Sequence, residues 1–253
     1  MNSDDVIDNT ALPLRDDGSI YHLNLHPHEI ADTIILVGDP ARVAEVSNFF
    51  DTIECKKSHR EFVVHTGMLS NHRISVVSTG IGSGGIDIVM NELDALVNID
   101  FATQRPRTTF RSLTVIRLGT CGAIHPDIAP GAIVVSEAAV GLDGIMQSYC
   151  HVPTDNEQQL LLQLQRQLDS SLWSDGLYVG SGSPHLVRHF APLGTVGLTV
   201  TCPGFYGAQQ RRLRQPLAQG DCISQLSQLS FHGTSFLNLE METALIYSLG
   251  RLL

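Results

Sequence analysis

Short apolar runs and helically spaced apolar residues follow one another along the chain, which predicts strands and helices. Leu113–Leu118 is rich in β-branched and apolar residues and is typical of a buried strand. Residues 86–97 carry apolar side chains at helical spacing, which predicts an amphipathic helix. Similar patterns predict strands at 34–37, 62–68, 73–78, 131–140, 178–181 and 197–201, a helix at 156–172, and a strand leading into a helix at 237–253.

One charged residue, Arg117, lies near the end of the predicted strand Leu113–Leu118. A buried guanidinium is costly unless an anion or an acid meets it. The strand is followed by Gly119 and Thr120, which offer a closely approaching backbone and a hydroxyl donor. Arginine, backbone N–H groups and a hydroxyl together suit a phosphate. A tight turn with an arginine paired to a structural acid explains the same residues equally well.

A second candidate anion site follows the predicted strand at 34–37. Gly38 permits a tight turn, Pro40 suits the first turn of a helix, and Arg42 then lies near the N-terminus of that helix. A helix N-terminus attracts anions, and a nearby arginine strengthens that preference. The alternative is an ordinary strand-to-helix turn with a surface arginine.

Three glycines, Gly80, Gly82 and Gly85, form a G-x-G-x-x-G pattern between a predicted strand and a predicted helix. This pattern is typical of dinucleotide-binding folds when a second strand ends in an acid about 20 residues later. Asp100 lies at that distance, but residues 86–99 read as one helix with no strand after it. A close approach of the backbone to any other ligand explains the glycines as well.

The region 203–236 is predicted to be long and irregular, which in a compact domain is typical of a functional or disordered loop. Beyond it, two acids flank Met241 at the predicted strand-to-helix junction, and acids are poor core residues. They are therefore either surface charges or ligands for hydroxyl groups. The chemistry-bearing side chains of these two segments are Phe205, Gln209, Arg211, Glu240 and Glu242.

Composition narrows the class of protein. The chain has 253 residues, enough for one large α/β domain, and its formal net charge is −10, which does not favour nucleic acid or a membrane surface as partner. Its five cysteines are scattered without a C-x-x-C pair, which fits a reduced cytosol and no zinc site. The N-terminus is polar and acidic, unlike a signal peptide, and no apolar run is long enough to span a bilayer. We expect a cytoplasmic protein with a flexible lead-in over residues 1–20.

Six motifs occur in order along the chain and together resemble the nucleoside phosphorylase family, most closely its uridine-specific members. They are VGDPAR at 37–42, SHREF at 58–62, STGIG at 78–82, RLGTCGAI at 117–124, FYGAQQR at 205–211 and NLEMETA at 238–244. The resemblance implies a single α/β domain over residues 21–253, with a central, mixed, twisted β-sheet flanked by helices. It also implies that the chain ends at Leu253 without the family's C-terminal strand, base-pocket loop and final helix.

The resemblance implies phosphorolysis of uridine to uracil and ribose 1-phosphate, as in pyrimidine salvage. Phosphate would be bound by Gly38, Arg42, Arg117 and Thr120, with Arg60 supplied by a neighbouring subunit. The ribose would be bound by Met241 and Glu242, with His22 of the neighbour at its 5′-hydroxyl. The base would be bound by Phe205, Gln209, Arg211 and Glu240.

The reaction suits these residue types. Arginines position a multiply charged nucleophile, Glu242 orients the ribose near developing positive charge, and Arg211 stabilises the departing base. Arg117, Glu242 and Arg211 are therefore the expected catalytic residues. We expect no metal and no cofactor, since phosphate is a co-substrate, and a homodimer as the unit of assembly, which three-fold association would extend to a hexamer.

Three alternatives remain open on the sequence. A purine-specific member of the same family is one, although the pair Gln209 and Arg211 favours a pyrimidine. A truncated, non-catalytic nucleoside-binding paralogue is the second. A dinucleotide enzyme, suggested by Gly80, Gly82 and Gly85, is the third.

Overall fold

The computed structural model describes residues 6–168, 176–218 and 222–253, and they divide into two compact units. The first unit ends at Gly119 and also includes Leu253, and the second runs from Thr120 to Leu252. Both units combine mixed β-sheet with helices, so the predicted α/β class is confirmed. The extent of one domain over residues 21–253 stays a prediction.

The first unit is built on a mixed sheet with the strand order β2-β3-β4-β1-β7. Its strands β4, β1 and β7 are parallel, whereas β3 runs antiparallel to β2 and β4. Its elements are β1 (Thr33–Val37), α1 (Pro40–Ser47), β2 (Thr52–His59), β3 (Phe62–Leu69), β4 (His72–Ser78), α2 (Ser83–Asn98), the short pair β5 (Ile99–Asp100) and β6 (Arg105–Pro106), and β7 (Thr114–Leu118).

The second unit is built on a sheet with the strand order β10-β9-β11-β13-β12, and β8 also pairs with β13. Strand β11 is parallel to both β9 and β13. Its elements are β8 (Gly122–Ala123), β9 (Val134–Gly141), α3 (Asp155–Gln167), β10 (Tyr178–Ser181), α4 (Pro184–Phe190), β11 (Thr195–Thr201), α5 (Cys222–Ser227), β12 (Ser230–Phe231), β13 (Thr234–Glu240) and α6 (Thr243–Leu252).

Local chemistry explains where the helices begin. Asp39 caps α1 by accepting a hydrogen bond from the N–H of Ala41 at 2.9 Å, and Pro40 occupies the first turn. Thr154 and Glu157 form a capping box at the start of α3. That helix ends at Gln167, and residues 169–172 of its predicted extent lie outside the described residues.

Several segments differ from the sequence prediction. Helix α4 and the strands β5, β6 and β8 are missing from it, since two-residue strands are too short to leave an apolar pattern, and β5 follows α2 directly where no strand was predicted. Strand β2 is also missing from the prediction, because its polar side chains alternate at a sheet edge and leave no apolar pattern to read. The region 203–236 contains a 3₁₀ turn at Gly207–Gln209, helix α5 and the β12–β13 hairpin, so its described part is not a structureless loop. Within the predicted lead-in, Leu12 and Ile20 are buried and belong to the first unit's core.

Within the described residues, no helix combines the length and apolar character needed to cross a bilayer. In the same parts of the chain, no cluster of three or more His, Cys, Asp or Glu side chains has an arrangement that would hold a metal ion.

Candidate functional site

The parallel strands of the first sheet bring several predicted residues to one edge. Val37, the last residue of β1, pairs with Ser78 at the end of β4 and with Leu118 at the end of β7. The turns after these strands therefore start side by side, as the carboxyl ends of parallel strands do. Gly38 follows β1 there, and the N–H of Thr79 donates to the Val37 carbonyl at 2.9 Å. We call this region the first carboxyl edge.

Arg117 lies one residue before the end of β7, opposite Leu36 of β1, and is half-buried. Its guanidinium folds back over the turn that follows the strand. A Cβ atom placed on Gly119 would lie 2.8 Å from Arg117 Cζ, closer than real side chains allow. Gly119 is therefore required for this position of the guanidinium, which holds a positive charge at the first carboxyl edge.

Arg42 reaches the same edge from the first turn of α1, where its N–H donates to the Asp39 carbonyl at 3.1 Å. The positive end of the helix dipole and an arginine side chain together favour an anion. Arg42 is half-buried, so its charge is only partly screened by water.

Arg60 lies in the turn between β2 and β3, with a positive φ of 55°. The Ser78 hydroxyl donates to the Glu61 carbonyl at 2.6 Å and accepts from the N–H of Val63 at 2.7 Å. These bonds hold the turn against the end of β4, so it lies at the first carboxyl edge. The exposed Arg60 guanidinium lies 5.8 Å from the centroid of the Tyr21 ring, which is within range of a cation–π interaction.

His22, the next residue after Tyr21, is held by the buried carboxylate of Glu92 on α2. His22 Nδ1 lies 2.6 Å from Glu92 Oε1, and the backbone N–H groups of His22 and Leu23 donate to Glu92 at 3.1 and 2.8 Å. A carboxylate at Nδ1 fixes the ring and favours the tautomer that protonates this nitrogen. The sequence did carry a signal for Glu92, since it lies between apolar Val89 and Leu93 on the buried face of the predicted helix.

The second sheet has a carboxyl edge of its own, where β11 and β13 end at Thr201 and Glu240. We call it the second carboxyl edge. Glu240 is 7% exposed, and its carboxylate accepts hydrogen bonds from the Thr201 hydroxyl and from the N–H groups of Glu242 and Thr243. These hydrogen bonds cap the start of α6, and the role of Glu240 in lining the base pocket stays a prediction.

Met241 and Glu242 follow directly, between β13 and α6. Met241 is half-buried, whereas Glu242 is only 4% exposed. A carboxylate at this depth is costly unless hydrogen-bond donors meet it. The depth of Glu242 therefore argues against the surface-charge interpretation that the sequence leaves open.

Arg211 organises the turn that follows β11. Its Nη1 donates to Gln209 Oε1 and to the Phe205 carbonyl, the latter at 3.1 Å. Its Cζ lies 4.2 Å from the centroid of the Phe205 ring, a cation–π distance, which covers one face of a ring that is otherwise half exposed. Gln209 is 6% exposed, so this turn orients an arginine and a buried amide together.

Thr120 is the first residue of the second unit, and Gly122 follows two positions later. Thr120 is exposed. Gly122 lies in β8 opposite Leu239 of β13, and a Cβ atom placed on it would lie 3.0 Å from Arg211 Nη2. The Arg211 guanidinium therefore lies against the β8 backbone at the second carboxyl edge.

Cys202 lies near Glu240 and Arg211 but is not a candidate nucleophile. It is buried, and its N–H donates to the Glu240 carbonyl at 2.8 Å. Burial, together with the Glu240 carboxylate, raises the pKa of the Cys202 thiol to about 12. The neutral thiol is therefore its form near pH 7, and thiols in that form are poor nucleophiles.

The structure thus gathers the predicted residues in two places. The first carboxyl edge carries Gly38, Arg42, Arg60 and Arg117, with His22 joined to Arg60 through Tyr21. The second carboxyl edge carries Phe205, Gln209, Arg211, Glu240, Met241 and Glu242. Supporting residues that the sequence did not identify are Tyr21, Glu92 and Thr201.

Comparison with known proteins defines the class to which this fold and these residues belong. The model of the phosphorylase superfamily matches residues 32–253, so the chain belongs to that superfamily. Among solved structures, it is similar to the Trypanosoma brucei nucleoside phosphorylase, which is described as showing uridine phosphorylase activity. The two chains are 28% identical with a TM-score of 0.87, over 95% of this chain and 86% of the other.

Curated relatives include the uridine phosphorylase of Thermococcus kodakarensis, which is 32% identical over 189 residues, or 70% of this chain and 63% of the relative. That of Haemophilus influenzae is 30% identical over 194 residues, covering 76% and 65%. A DeoD-type purine nucleoside phosphorylase of Anoxybacillus flavithermus is 34% identical over 116 residues, covering 46% and 44%. The chain thus spans less than two thirds of the length of each of these relatives.

Proposed function

We propose that this protein catalyses the phosphorolysis of nucleosides and that uridine is its preferred substrate. Phosphate attacks the anomeric carbon of the ribose, and the glycosidic bond breaks with its electron pair going to the base. The base takes up the proton that hydrogen phosphate carried, and the products are uracil and ribose 1-phosphate. The single observation that carries the proposal is the buried Gln209 amide held by Arg211. Membership of the phosphorylase superfamily supports the reaction type.

The first carboxyl edge is proposed to bind phosphate. Arg42 and Arg117 supply charge-assisted donors, Arg60 of a neighbouring subunit is proposed to add a third, Gly38 supplies a closely approaching backbone, and Thr120 adds a hydroxyl. The guanidinium of Arg117 is the central one, because the absence of a Cβ on Gly119 leaves room for it over the turn that follows β7.

Glu242 and Met241 are proposed to bind the ribose. A buried carboxylate accepts hydrogen bonds from the two ribose hydroxyls and favours the positive charge that develops on the sugar as the base departs. We propose that His22 contacts the ribose 5′-hydroxyl. Glu92 holds His22 Nδ1 at 2.6 Å, which directs the other ring nitrogen to a ligand.

Base choice is proposed to follow from the geometry of Gln209 and Arg211. Gln209 Oε1 accepts from Arg211 and keeps a second lone pair, while its amide group offers two donors. Uracil presents an N–H between two carbonyls, which matches that acceptor, one amide donor and the guanidinium. Cytosine presents an unprotonated nitrogen and an amino group at the same edge, so its donors and acceptors are mismatched.

We also propose that the protein associates with a second copy of itself. His22 and Arg60 match residues that family members take from a neighbouring subunit, and Tyr21 joins the two within one protomer. We propose that a homodimer supplies both residues together to the neighbour's site. Cytoplasmic localisation and a role in pyrimidine salvage remain predictions.

A purine substrate is the second candidate, because DeoD-type purine nucleoside phosphorylases are among the relatives. The test is turnover of uridine, cytidine and inosine by the wild type and by Gln209→Leu. A site built on such hydrogen bonds rejects a mismatched base by roughly 10⁴-fold. We therefore expect uridine to be preferred over cytidine by about that factor, and most of the preference to be lost in the variant.

The matched control is Gln210→Leu, since Gln210 is the adjacent glutamine, lies in a left-handed turn and accepts a hydrogen bond from the N–H of Ile223. It should lower stability without changing base choice. Wild-type enzyme that uses inosine as well as uridine would favour the purine candidate, and an unchanged preference in Gln209→Leu would remove Gln209 from base recognition.

A further inference from the structure

Two side chains from the ends of neighbouring strands hold the start of α6. Thr201 is the last residue of β11 and Glu240 is the last residue of β13, and the parallel register pairs them. Both are buried. The Thr201 hydroxyl donates to Glu240 Oε1 at 2.6 Å and accepts from the backbone N–H of Ala244 at 2.9 Å.

Glu240 completes this arrangement. Its Oε2 accepts from the N–H of Glu242 at 2.8 Å and from the N–H of Thr243 at 3.0 Å. The N–H groups of a first helical turn have no acceptor within the helix. A hydroxyl and a carboxylate therefore satisfy three successive N–H groups, at residues 242, 243 and 244, and one of them belongs to Glu242 itself.

We infer that Thr201 is a positioning residue for nucleoside binding, acting through the Glu240 carboxylate on the backbone from which Glu242 projects. The inference rests on the proposed function, in which Glu242 binds the ribose. Removal of the hydroxyl takes one donor from Glu240 and the acceptor from the buried Ala244 N–H. The carboxylate is then less restrained, and Glu242 loses its fixed position.

The proposed role of Thr201 should affect the binding of the nucleoside and not the binding of phosphate. The hydrogen bonds of the Thr201 hydroxyl run to Glu240 and to the start of α6, beside the proposed ribose-binding Glu242. Loss of the Thr201 hydroxyl should therefore weaken nucleoside binding and leave phosphate binding unchanged. A merely structural role would lower the melting temperature without this selectivity.

Thr199 provides a matched control. It lies two residues earlier on β11, is also fully buried, and has a hydroxyl that donates to Asn238 Oδ1 of β13 at 2.9 Å and shares a hydrogen bond with Ser136 of β9. Its partners are strand residues and not the start of α6. Thr199→Val thus removes the same group from the same strand without disturbing the cap.

The experiment measures the KM values for uridine and phosphate, kcat and the melting temperature of wild type, Thr201→Val, Thr201→Ser and Thr199→Val. Small displacements of a substrate-positioning group have large kinetic effects, so we expect Thr201→Val to raise the KM for uridine by about tenfold or more. Its KM for phosphate should stay within about twofold of wild type. Thr201→Ser, which keeps the hydroxyl, should restore the KM for uridine, and Thr199→Val should lower only stability.

Equal KM values for uridine in Thr201→Val and Thr199→Val would overturn the inference while leaving the proposed function intact. A raised KM for uridine in Thr201→Ser would also overturn it, and this outcome can be read even if the valine variant does not fold. If wild-type protein consumes neither uridine nor inosine with phosphate, the proposed function fails and the inference fails with it.

Discussion

The two carboxyl edges solve different recognition problems by different means. At the first, Arg42, Arg60 and Arg117 come from a helix start, a hairpin turn and a strand end, and their guanidinium groups are half-buried or exposed. At the second, Glu240 and Gln209 are buried and held by hydrogen bonds to their neighbours.

The difference follows from the proposed ligands. A multiply charged phosphate is attracted over several ångströms, so separate arginines on well-placed turns suffice to bind it. The specificity for a neutral nucleoside comes from short hydrogen bonds, whose donors and acceptors must be fixed in advance. Substitutions at the first edge should therefore act through single charges, and those at the second edge through a network.

The largest effect is expected from removing the central charge of the first edge. Arg117→Ala should weaken phosphate binding by about 2–4 kcal/mol, or roughly 30- to 900-fold, because a charge-assisted contact is lost from a partly buried place. Nucleoside binding should change little. Phosphate and uridine affinities measured separately by calorimetry check both statements.

Arg111→Ala is the matched control for Arg117→Ala. Arg111 precedes β7 at its opposite end, is half exposed and forms an ion pair with Asp32. Its loss should leave both affinities unchanged. If Arg117→Ala binds phosphate as the wild type does, the Arg117 guanidinium is structural and the first edge is not a phosphate site.

A second prediction concerns the source of Arg60. If a neighbouring subunit supplies it, mixed dimers of Arg60→Ala and Arg117→Ala contain one site with both substitutions and one site with neither. Each variant alone should be nearly inactive, and their mixture should regain part of the wild-type activity. The measurement is uridine turnover after subunit exchange, with each variant exchanged against itself as the control. A mixture no more active than its components would place Arg60 in the site of its own protomer.

The smallest expected effect is a pH dependence of stability, caused by a histidine that contacts the helix carrying Arg42. His65 is buried on β3, and its Nδ1 lies 2.7 Å from the Ser47 hydroxyl of α1, the helix that carries Arg42. Burial, followed by the charge of Lys56, lowers the pKa of His65 below 6.5. Since the unfolded chain then binds a proton more readily than the folded one, stability should fall as the pH drops below 6.5.

Melting temperatures between pH 8 and pH 5 measure this effect in wild type and in His65→Gln, whose side chain does not titrate. The melting temperature of His65→Gln should fall less at low pH, because the variant lacks the part of the stability loss that His65 causes. His72→Gln is the control, because His72 is exposed at the start of β4. Identical profiles for wild type and His65→Gln would contradict the role assigned to His65.

Much of the architecture could be predicted from the sequence because it is local. The strand ends of β1, β4 and β7 are marked by apolar runs that stop at Gly38, Thr79 and Gly119, and parallel pairing then brings these turns together. Arg117 stands out because a charge interrupts an apolar strand. The candidate residues themselves were predicted mainly from six motifs that resemble a known family.

The supporting contacts could not be predicted, because they join residues far apart in the sequence. Glu92 binds His22 across 70 positions, and Thr201 meets Glu240 across 39. Thr201 also looks like an ordinary strand residue, since threonine is common in strands. The capping role of Glu240 depends on which backbone groups its carboxylate meets, and spacing alone does not reveal this.

Phosphorolysis of a nucleoside is tested most simply by following uridine absorbance in the presence and absence of phosphate. We expect the absorbance to fall only when protein and phosphate are both present, and ribose 1-phosphate to accumulate in equal amount to uracil. Inosine under the same conditions reports on the purine candidate. Absence of turnover of both nucleosides with phosphate, or equal loss of uridine without phosphate, would rule out nucleoside phosphorolysis as the function of this protein.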